Sequence, residues 1–459
     1  MMSLKTYRAK PGLALRRTLR ASFIAVICAA YLAPVSRAQD GGRAADSARS
    51  YEFVGGRWFD GRTFRREKFY AVGGRLTKKR PGRVDETIDL ASNYVISPFA
   101  DAHTHNLDGT FNLDKMTRAY LDEGTFYVQV LTNYASGAKQ ARPFLNRPSS
   151  LDVLYANGGL TSTLGHPFLA YEPRALGFYN PADWGANMEA IKLGRKGEDN
   201  VYWFLDSAAD VDAKWRKFLA QKPDVVKIFL LDAKNHERLS RSGKAGDKGL
   251  SPEVAGLVVR RAHEAGLRVY AHIETADDFR LGLKIGVDGF AHVPYYGWSG
   301  KIEDRPRDDL TPADIRLAAR KKVVVIPTTQ IARLGATDYG PEGKGTFDAE
   351  RFGRAVERQK RLLNLMRRGG VIIALGSDYF GRTLGVELWH LHDNRIFDNE
   401  TLLRIAAEDT PRAIFPGRRI GRLREGYEAS FLVLAGDPVA DFTNVKRINL
   451  RFKQGQPLK

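Results

Sequence analysis

Pro98-Phe99-Ala100-Asp101-Ala102-His103-Thr104-His105 is the stretch whose reading decides the fold. Tyr94-Val95-Ile96 just before it is aromatic and β-branched, a composition that suits a buried strand. A strand continuing from there ends in two histidines with one residue between them. Side chains alternate across a strand, so His103 and His105 fall on the same side. Two imidazoles at one strand end can grip one metal ion, and imidazole suits zinc, copper, iron and nickel. Many His-X-His pairs bind nothing, so the meaning of this one depends on the rest of the chain.

Outward from that stretch the pattern changes twice. Toward the N-terminus, residues 51–94 read as short strands at Trp58-Phe59, Phe69–Val72 and Thr87-Ile88. Gly55-Gly56, Asp60-Gly61, Gly73-Gly74 and Pro81-Gly82 punctuate them, which predicts a small all-β unit. Toward the C-terminus, apolar strand-like runs alternate with helical segments. The runs are Thr125–Leu131, Leu160–Leu164, Val201–Leu205, Val225–Leu231, Leu267–His272, Gly289–His292, Val323–Pro327 and Val371–Leu375. Among the helices, Pro252–Ala265 follows Ser251 and stops at Gly266, Pro312–Lys322 follows Thr311, and Asp348–Arg368 is long. Strand–helix alternation over residues 95–414 predicts an α/β chain folded as a (β/α)8 barrel of the TIM type. Nine strand candidates, counting the one at Val95, compete for eight places, and residues 145–205 hold the ambiguity. Beyond Phe415 the β pattern returns at Gly421–Arg424, Ala429–Leu434 and Lys446–Phe452. Residues 51–94 and 415–459 are therefore expected to build one small β-sandwich from both ends, with the barrel inserted between them.

Composition bounds the class. Of 459 residues, 43% are hydrophobic and 27% charged, ordinary for a globular protein. The formal charge is +19; residues 1–38 carry seven Lys or Arg and no acid, leaving +12 (19 − 7) on the remainder. That balance fits a solvated basic surface, with weak contact to an anionic surface as the sharper reading. No nucleic-acid-binding motif is present, so no nucleic-acid partner is expected. Residues 1–20 hold six Lys or Arg, and the 15-residue apolar run Ala21–Val35, broken only by Ser22, follows them. The run is short of the ~20 residues needed to span a bilayer. Ser36-Arg37-Ala38 ends it, so residues 1–38 read as a signal peptide cleaved after Ala38, with 39–50 as a linker. The expected location is secreted or periplasmic. Cys28, the only cysteine, lies in the signal core, so any metal site in the mature chain must use nitrogen and oxygen ligands.

The chemistry rests on residues at later strand ends, where barrel enzymes build their sites. Lys227 lies in Pro-Asp-Val-Val-Lys-Ile-Phe-Leu-Leu, which carries an amine into the interior. Burying an unpaired ammonium is costly and lowers its pKa. One resolution is a carboxylate partner; the sharper one is reaction with CO2 to a carbamate, an anion able to bridge two cations. His272 in Val-Tyr-Ala-His-Ile-Glu-Thr, His292 in Gly-Phe-Ala-His-Val-Pro and Asp378 in Leu-Gly-Ser-Asp-Tyr complete the set. Singly, each reads as a core histidine or a turn acid. Together, six candidate ligands in this order, each at a strand end, are hard to obtain by chance.

The order His103/His105, Lys227, His272, His292, Asp378 resembles the amidohydrolase superfamily in its two-metal, carboxylated-lysine form, including imidazolonepropionase-like and prolidase-like members. The resemblance covers most of residues 51–459, including the closing segment from Ile420 to Leu434. Two departures, Phe99-Ala100-Asp101 and Ala429-Ser430-Phe431, touch no ligand. The resemblance implies one divalent ion on His103, His105, Lys227 and Asp378, and a second on Lys227, His272 and His292. It implies a metal-bridging hydroxide, with Asp378 as the proton carrier and His166 orienting the substrate carbonyl. Zinc fits best, since it accepts imidazole and carboxylate and keeps a position open for water. The expected function is an exported hydrolase of amide, dipeptide or cyclic amide bonds, acting on a small molecule. Tyr295, Tyr296 and Arg382 are candidate contacts to a substrate carboxylate. Lactone or phosphotriester hydrolysis shares the ligand set. Deaminases with one metal do without the strand lysine, so Lys227 argues against them. A non-catalytic surface-binding barrel is the reading from a different class, and a homo-oligomer stays open.

Overall fold

The computed structural model of the protein describes residues 49–297, 300, 309–339 and 345–458. The expected signal peptide and residues 39–48 of the expected linker lie outside the described residues. No helix among the described residues is long and apolar enough to cross a membrane.

Parallel strands organise the chain in two sheets. In the first, β1 (Phe99–Thr104), β2 (Thr125–Val130) and β3 (Asp152–Tyr155) stand in the order β3-β2-β1. The second contains β4 (Gly159–Thr161), β5 (Tyr202–Phe204), β6 (Val226–Leu230), β7 (Val269–Ile273), β8 (Gly289–Ala291), β9 (Val324–Ile326) and β10 (Ile372–Ile373). Its order is β5-β4-β6-β7-β8-β9-β10, every neighbouring pair parallel. β1, β2, β6 and β7 are buried at every position, as parallel strands covered on both faces are.

The strand pairing does not close into the single eight-stranded ring expected. Asn157 (φ 53°) and Gly158 (φ 107°) turn the chain between β3 and β4, so the two fall in different sheets. Backbone hydrogen bonds still bridge both gaps. Ala102 N–H donates to Leu375 O at 2.7 Å and Asp378 N–H to His103 O at 2.7 Å. On the other flank Asp224 N–H donates to Tyr155 O at 2.8 Å.

The helices follow their start and stop residues. Ser251 Oγ accepts from Val254 N–H at 3.2 Å ahead of Pro252–Glu264, and Gly266 beyond it sits at φ 72°. Thr311 and Asp314 form a reciprocal capping box on Pro312–Arg320, and Asp348 caps Ala349–Arg368.

Both chain ends share a six-stranded sheet in the order Gln456–Leu458, Ile448–Lys453, Phe431–Leu434, Tyr94–Ile96, Arg57–Phe59, Phe64–Arg66. A four-stranded sheet of Arg75–Thr77, Phe69–Val72, Tyr51–Val54 and Glu86–Asp89 accompanies it. Their common core is aromatic: Phe431 stacks on Phe452 at 5.0 Å, and Phe53 meets Phe452 edge-on at 5.1 Å. Tyr94–Ile96 therefore does not run on into the His-X-His strand. Pro98 has no N–H to continue a ladder, and the chain changes sheets across Ser97-Pro98. Gly421–Arg424 is irregular rather than a strand; Gly421 sits at φ 71°.

Candidate metal centre

β1 delivers His103 fully buried, and His105 follows one residue past the strand end. Their Nε2 atoms lie 3.3 Å and 2.9 Å from the same Asp378 Oδ1. His105 Nδ1–H donates to Thr132 O at 3.1 Å, and Tyr171 Oη lies 3.2 Å from that nitrogen. The Thr132 carbonyl and the Asp378 carboxylate both accept, so a neutral His105 imidazole satisfies only one of them, and a cation between Nε2 and Asp378 would satisfy the other. Two imidazole nitrogens and a carboxylate oxygen thus converge on one point, an arrangement that one shared proton satisfies in part and a cation satisfies in full.

His292 closes the other side. Its Nδ1–H donates to Thr328 Oγ1 at 2.6 Å, whose own hydroxyl donates to Pro327 O at 2.8 Å. The same Nδ1 lies 3.8 Å from Asp378 Oδ2, so this nitrogen is shared between the threonine and the carboxylate. His272 stands edge-on to His292 at 4.5 Å, with its Nε2 3.3 Å from Glu274 Oε1. The His103 and His292 rings are 5.2 Å apart. His166 stacks on the far face of this group, 4.7 Å from His272.

Lys227 points into the same neighbourhood. Its Nζ is buried, has no hydrogen-bond partner, and sits 5.3 Å above the Phe229 ring. Burial pushes the amine down to about 7, against the pull of the Asp378 carboxylate. Burial also holds His103, His166, His272 and His292 well below the usual histidine range, and the field of Lys227 acts on each of them. Neutral imidazole is the metal-ligating form. An anionic donor derived from Lys227 would remove both the orphaned amine and the mutual repulsion, so the donor set fits divalent cations. His103, His105 and Asp378 are within metal-ligating distance of one another as they stand.

Strain marks the same positions. Asp378 (φ 45°), His292 (φ 84°), Thr132 (φ 84°) and Thr328 (φ 48°) all occupy the left-handed region without being glycine. Each costs ~1–3 kcal/mol and persists where surrounding contacts impose it. The contacts are visible at Asp101, fully buried on β1. It accepts from Ser377 Oγ at 2.7 Å, Ser377 N–H at 3.0 Å and His103 N–H at 3.1 Å, clamping the two ligand-bearing segments together. Burial raises its carboxyl to about 7. An acid inside Phe-Ala-Asp-Ala-His was the available signal for this role, and the sequence reading assigned it none. Tyr171, Thr132 and Thr328 were missed as well, since nothing local marks them.

The proposed substrate contacts divide. His166 and Tyr296 belong to the centre; Tyr296 stacks on His292 at 3.9 Å. Tyr295 instead packs under the Arg358 guanidinium at 5.3 Å. Arg382 lines a separate cavity of about 560 Å³ with Arg333, Trp389 and His390.

No protein-family model matches the chain. Ochratoxinase of Aspergillus niger is 22% identical over 322 residues, covering 67% of this chain and 60% of that relative's length. An amidohydrolase of known structure superposes with a TM-score of 0.64 at 19% identity, covering 89% of this chain and 98% of its own. A prolidase complexed with N-methylphosphonate-L-proline gives 0.64 at 16%, covering 89% and 99%. The A. niger ochratoxinase structure gives 0.64 at 17%, covering 90% and 96%. The chain therefore has the amidohydrolase fold. The resemblance drawn from the sequence holds at that level, and the matched relatives carry the names of a prolidase and an ochratoxinase.

Proposed function

We propose that this protein is a metal-dependent hydrolase of carbon–nitrogen bonds, with amides, dipeptides or cyclic amides as substrates. The observation that carries the reading is the convergence of His103, His105 and Asp378 on one point, beside a buried Lys227 amine with no partner. The two parallel sheets are read as parts of one β/α barrel, supported by the Ala102–Leu375 and Asp224–Tyr155 bridges. The barrel begins after Ile96 and is inserted into the β-sandwich that the two chain ends form. The basic and apolar segment before residue 39 supports export to a secreted or periplasmic location.

His103, His105, Asp378 and a carbamylated Lys227 would hold one divalent ion, zinc by preference, and Lys227, His272 and His292 a second. Bound cations of this kind supply Lewis acidity and bring the pKa of a coordinated water to ~7. Asp378 is placed to receive the proton of the attacking water and hand it to the leaving nitrogen. Thr328 Oγ1 and the Thr132 carbonyl would orient the His292 and His105 rings through their Nδ1 atoms. His166, stacked on His272, would orient the scissile carbonyl. The test is a hydrolysis screen of zinc-loaded protein against dipeptides, N-acyl amino acids, cyclic imides and lactones. Cleavage of C–N substrates that Asp378→Asn reduces at least ~100-fold is expected. Turnover of lactones alone would contradict the assignment.

A further inference from the structure

A cationic cavity lies at the end of the second sheet away from the candidate ligands. Its walls include Val324 and Ile372, which begin β9 and β10, and Arg268, which directly precedes β7. His272 and Asp378 stand instead toward or beyond the far ends of β7 and β10. The cavity measures about 440 Å³, the size of a small-molecule site. Arg268, Lys322, Arg367, Arg404 and Arg412 line it. Two acids, Asp288 and Asp409, share the lining with these five cations, so three positive charges stand in excess. Both acids are already engaged. Asp288 Oδ2 accepts from Val269 N–H at 2.8 Å and lies 2.9 Å from His263 Nε2. Asp409 Oδ1 accepts from Arg412 Nη2 at 2.8 Å, and Arg404 Nε lies 3.7 Å from Asp409 Oδ2. Two donors remain: Arg367 Nε and Arg412 Nε are buried with no hydrogen-bond partner among the described residues. A buried donor left unmet is costly, and an acceptor in the cavity relieves that cost. Arg268 is held in place by Tyr270 Oη at 2.8 Å and by the Ala413 and Ile414 carbonyls at 2.7 Å and 2.6 Å, so ordering it on a ligand costs little entropy. Arg404 precedes and Asp409 ends a π-helical turn, Ile405–Asp409, a form frequent at functional sites. The proposed hydrolase centre uses none of these residues.

We propose that this cavity binds a compact multivalent oxyanion, a diphosphate or a tricarboxylate, through its arginines. Guanidinium forks match phosphate and carboxylate oxygens in pairs, and an anion of about three charges offsets an excess that a singly charged one leaves standing. The test is isothermal titration of pyrophosphate, citrate and inorganic phosphate into the full chain at low salt. The protein is chelated beforehand, which removes any contact through a bound metal ion. Pyrophosphate or citrate is expected to bind at least about ten-fold tighter than phosphate. Arg367→Gln removes one unmet donor together with its charge and is expected to weaken the tighter ligand about five-fold or more. Ile372→Glu sets a carboxylate in the cavity wall from an exposed position on β10 and is expected to weaken it about ten-fold or more. Melting temperatures of the ligand-free variants show that they are folded, and either variant alone suffices for the comparison. Tight binding of pyrophosphate alone assigns phosphate chemistry to the site, tight binding of citrate alone assigns carboxylate chemistry, and both results uphold the proposal. It is overturned if neither anion binds, if inorganic phosphate binds as tightly as both, or if the folded variants keep wild-type affinity, which would place the anion elsewhere on the basic surface.

Discussion

Lys227 shows most clearly how one residue sets the chemistry. An amine near 7 is mostly neutral at pH 8, and neutral amine is the form that reacts with CO2. In the unfolded chain lysine titrates near ~10.4, so between pH 7 and 10 the unfolded chain binds more protons than the folded one. Stability of the chelated, unmodified protein should therefore rise with pH across that window. Lys227→Met should flatten that rise and leave the melting temperature at pH 7 no lower than wild type, because it removes a buried polar atom without a partner. Calorimetry of the chelated proteins checks this; a drop of several degrees would mean that the amine is paired. His390 gives the opposite edge. Burial pushes it down to about 4, with Nε2 2.9 Å from Gln359 Oε1. The unfolded histidine gains its proton near ~6.5 and the folded one only near 4, so stability is lost as pH falls through that interval. His390→Gln should reduce the loss, measured as urea midpoints at pH 7 and 4.5.

Strand ends carry the site, and they need close approach. A Cβ on Gly376 would stand 2.7 Å from His103 Cβ and 2.8 Å from His103 N. Gly376→Ala should cost about 2 kcal/mol in unfolding free energy and weaken metal binding at least ~10-fold by displacing His103. Unchanged metal affinity in a destabilised variant would show that the approach serves packing alone. The elements with strong local signals were legible in the sequence. Ser251 and Thr311 cap the helices that follow them, the long helix starts one residue after Asp348, and β2, β6 and β7 follow their apolar runs. The misses have physical causes. β3 begins with Asp152, a residue that strands usually avoid, and its charge is met only by Lys453 and Arg418, far away in sequence. Tyr94–Ile96 was joined to the wrong sheet because apolar composition does not tell which core a strand faces. The six candidate ligands were singled out in the sequence by their order and strand position, and the structure brings three of them, His103, His105 and Asp378, within metal-ligating distance of one another. Their partners Thr132, Thr328 and Tyr171 were not singled out, because tertiary placement alone gives them meaning.

Over the whole molecule, the terminal β unit is fastened to the parallel sheets by buried charge. Lys453 Nζ lies 2.7 Å from Asp152 Oδ1, with the side chains 0% and 3% exposed, and Arg418 reaches the other Asp152 oxygen at 2.8 Å. Lys453→Met strands part of a buried carboxylate and should cost ~3 kcal/mol, read from urea unfolding; a neutral outcome would mean that Arg418 alone suffices. The same architecture carries the proposed ligands on β1, β6, β7, the end of β8 and the segment after β10, and their convergence on one place is the claim on which the account rests. It is tested most directly by metal analysis of protein loaded with zinc in bicarbonate and then freed of unbound ion. The account predicts two ions per chain in wild type, with Lys227→Met and Asp378→Ala both falling well below two. A folded wild-type protein that retains no metal, or the same two ions in both variants, would contradict it.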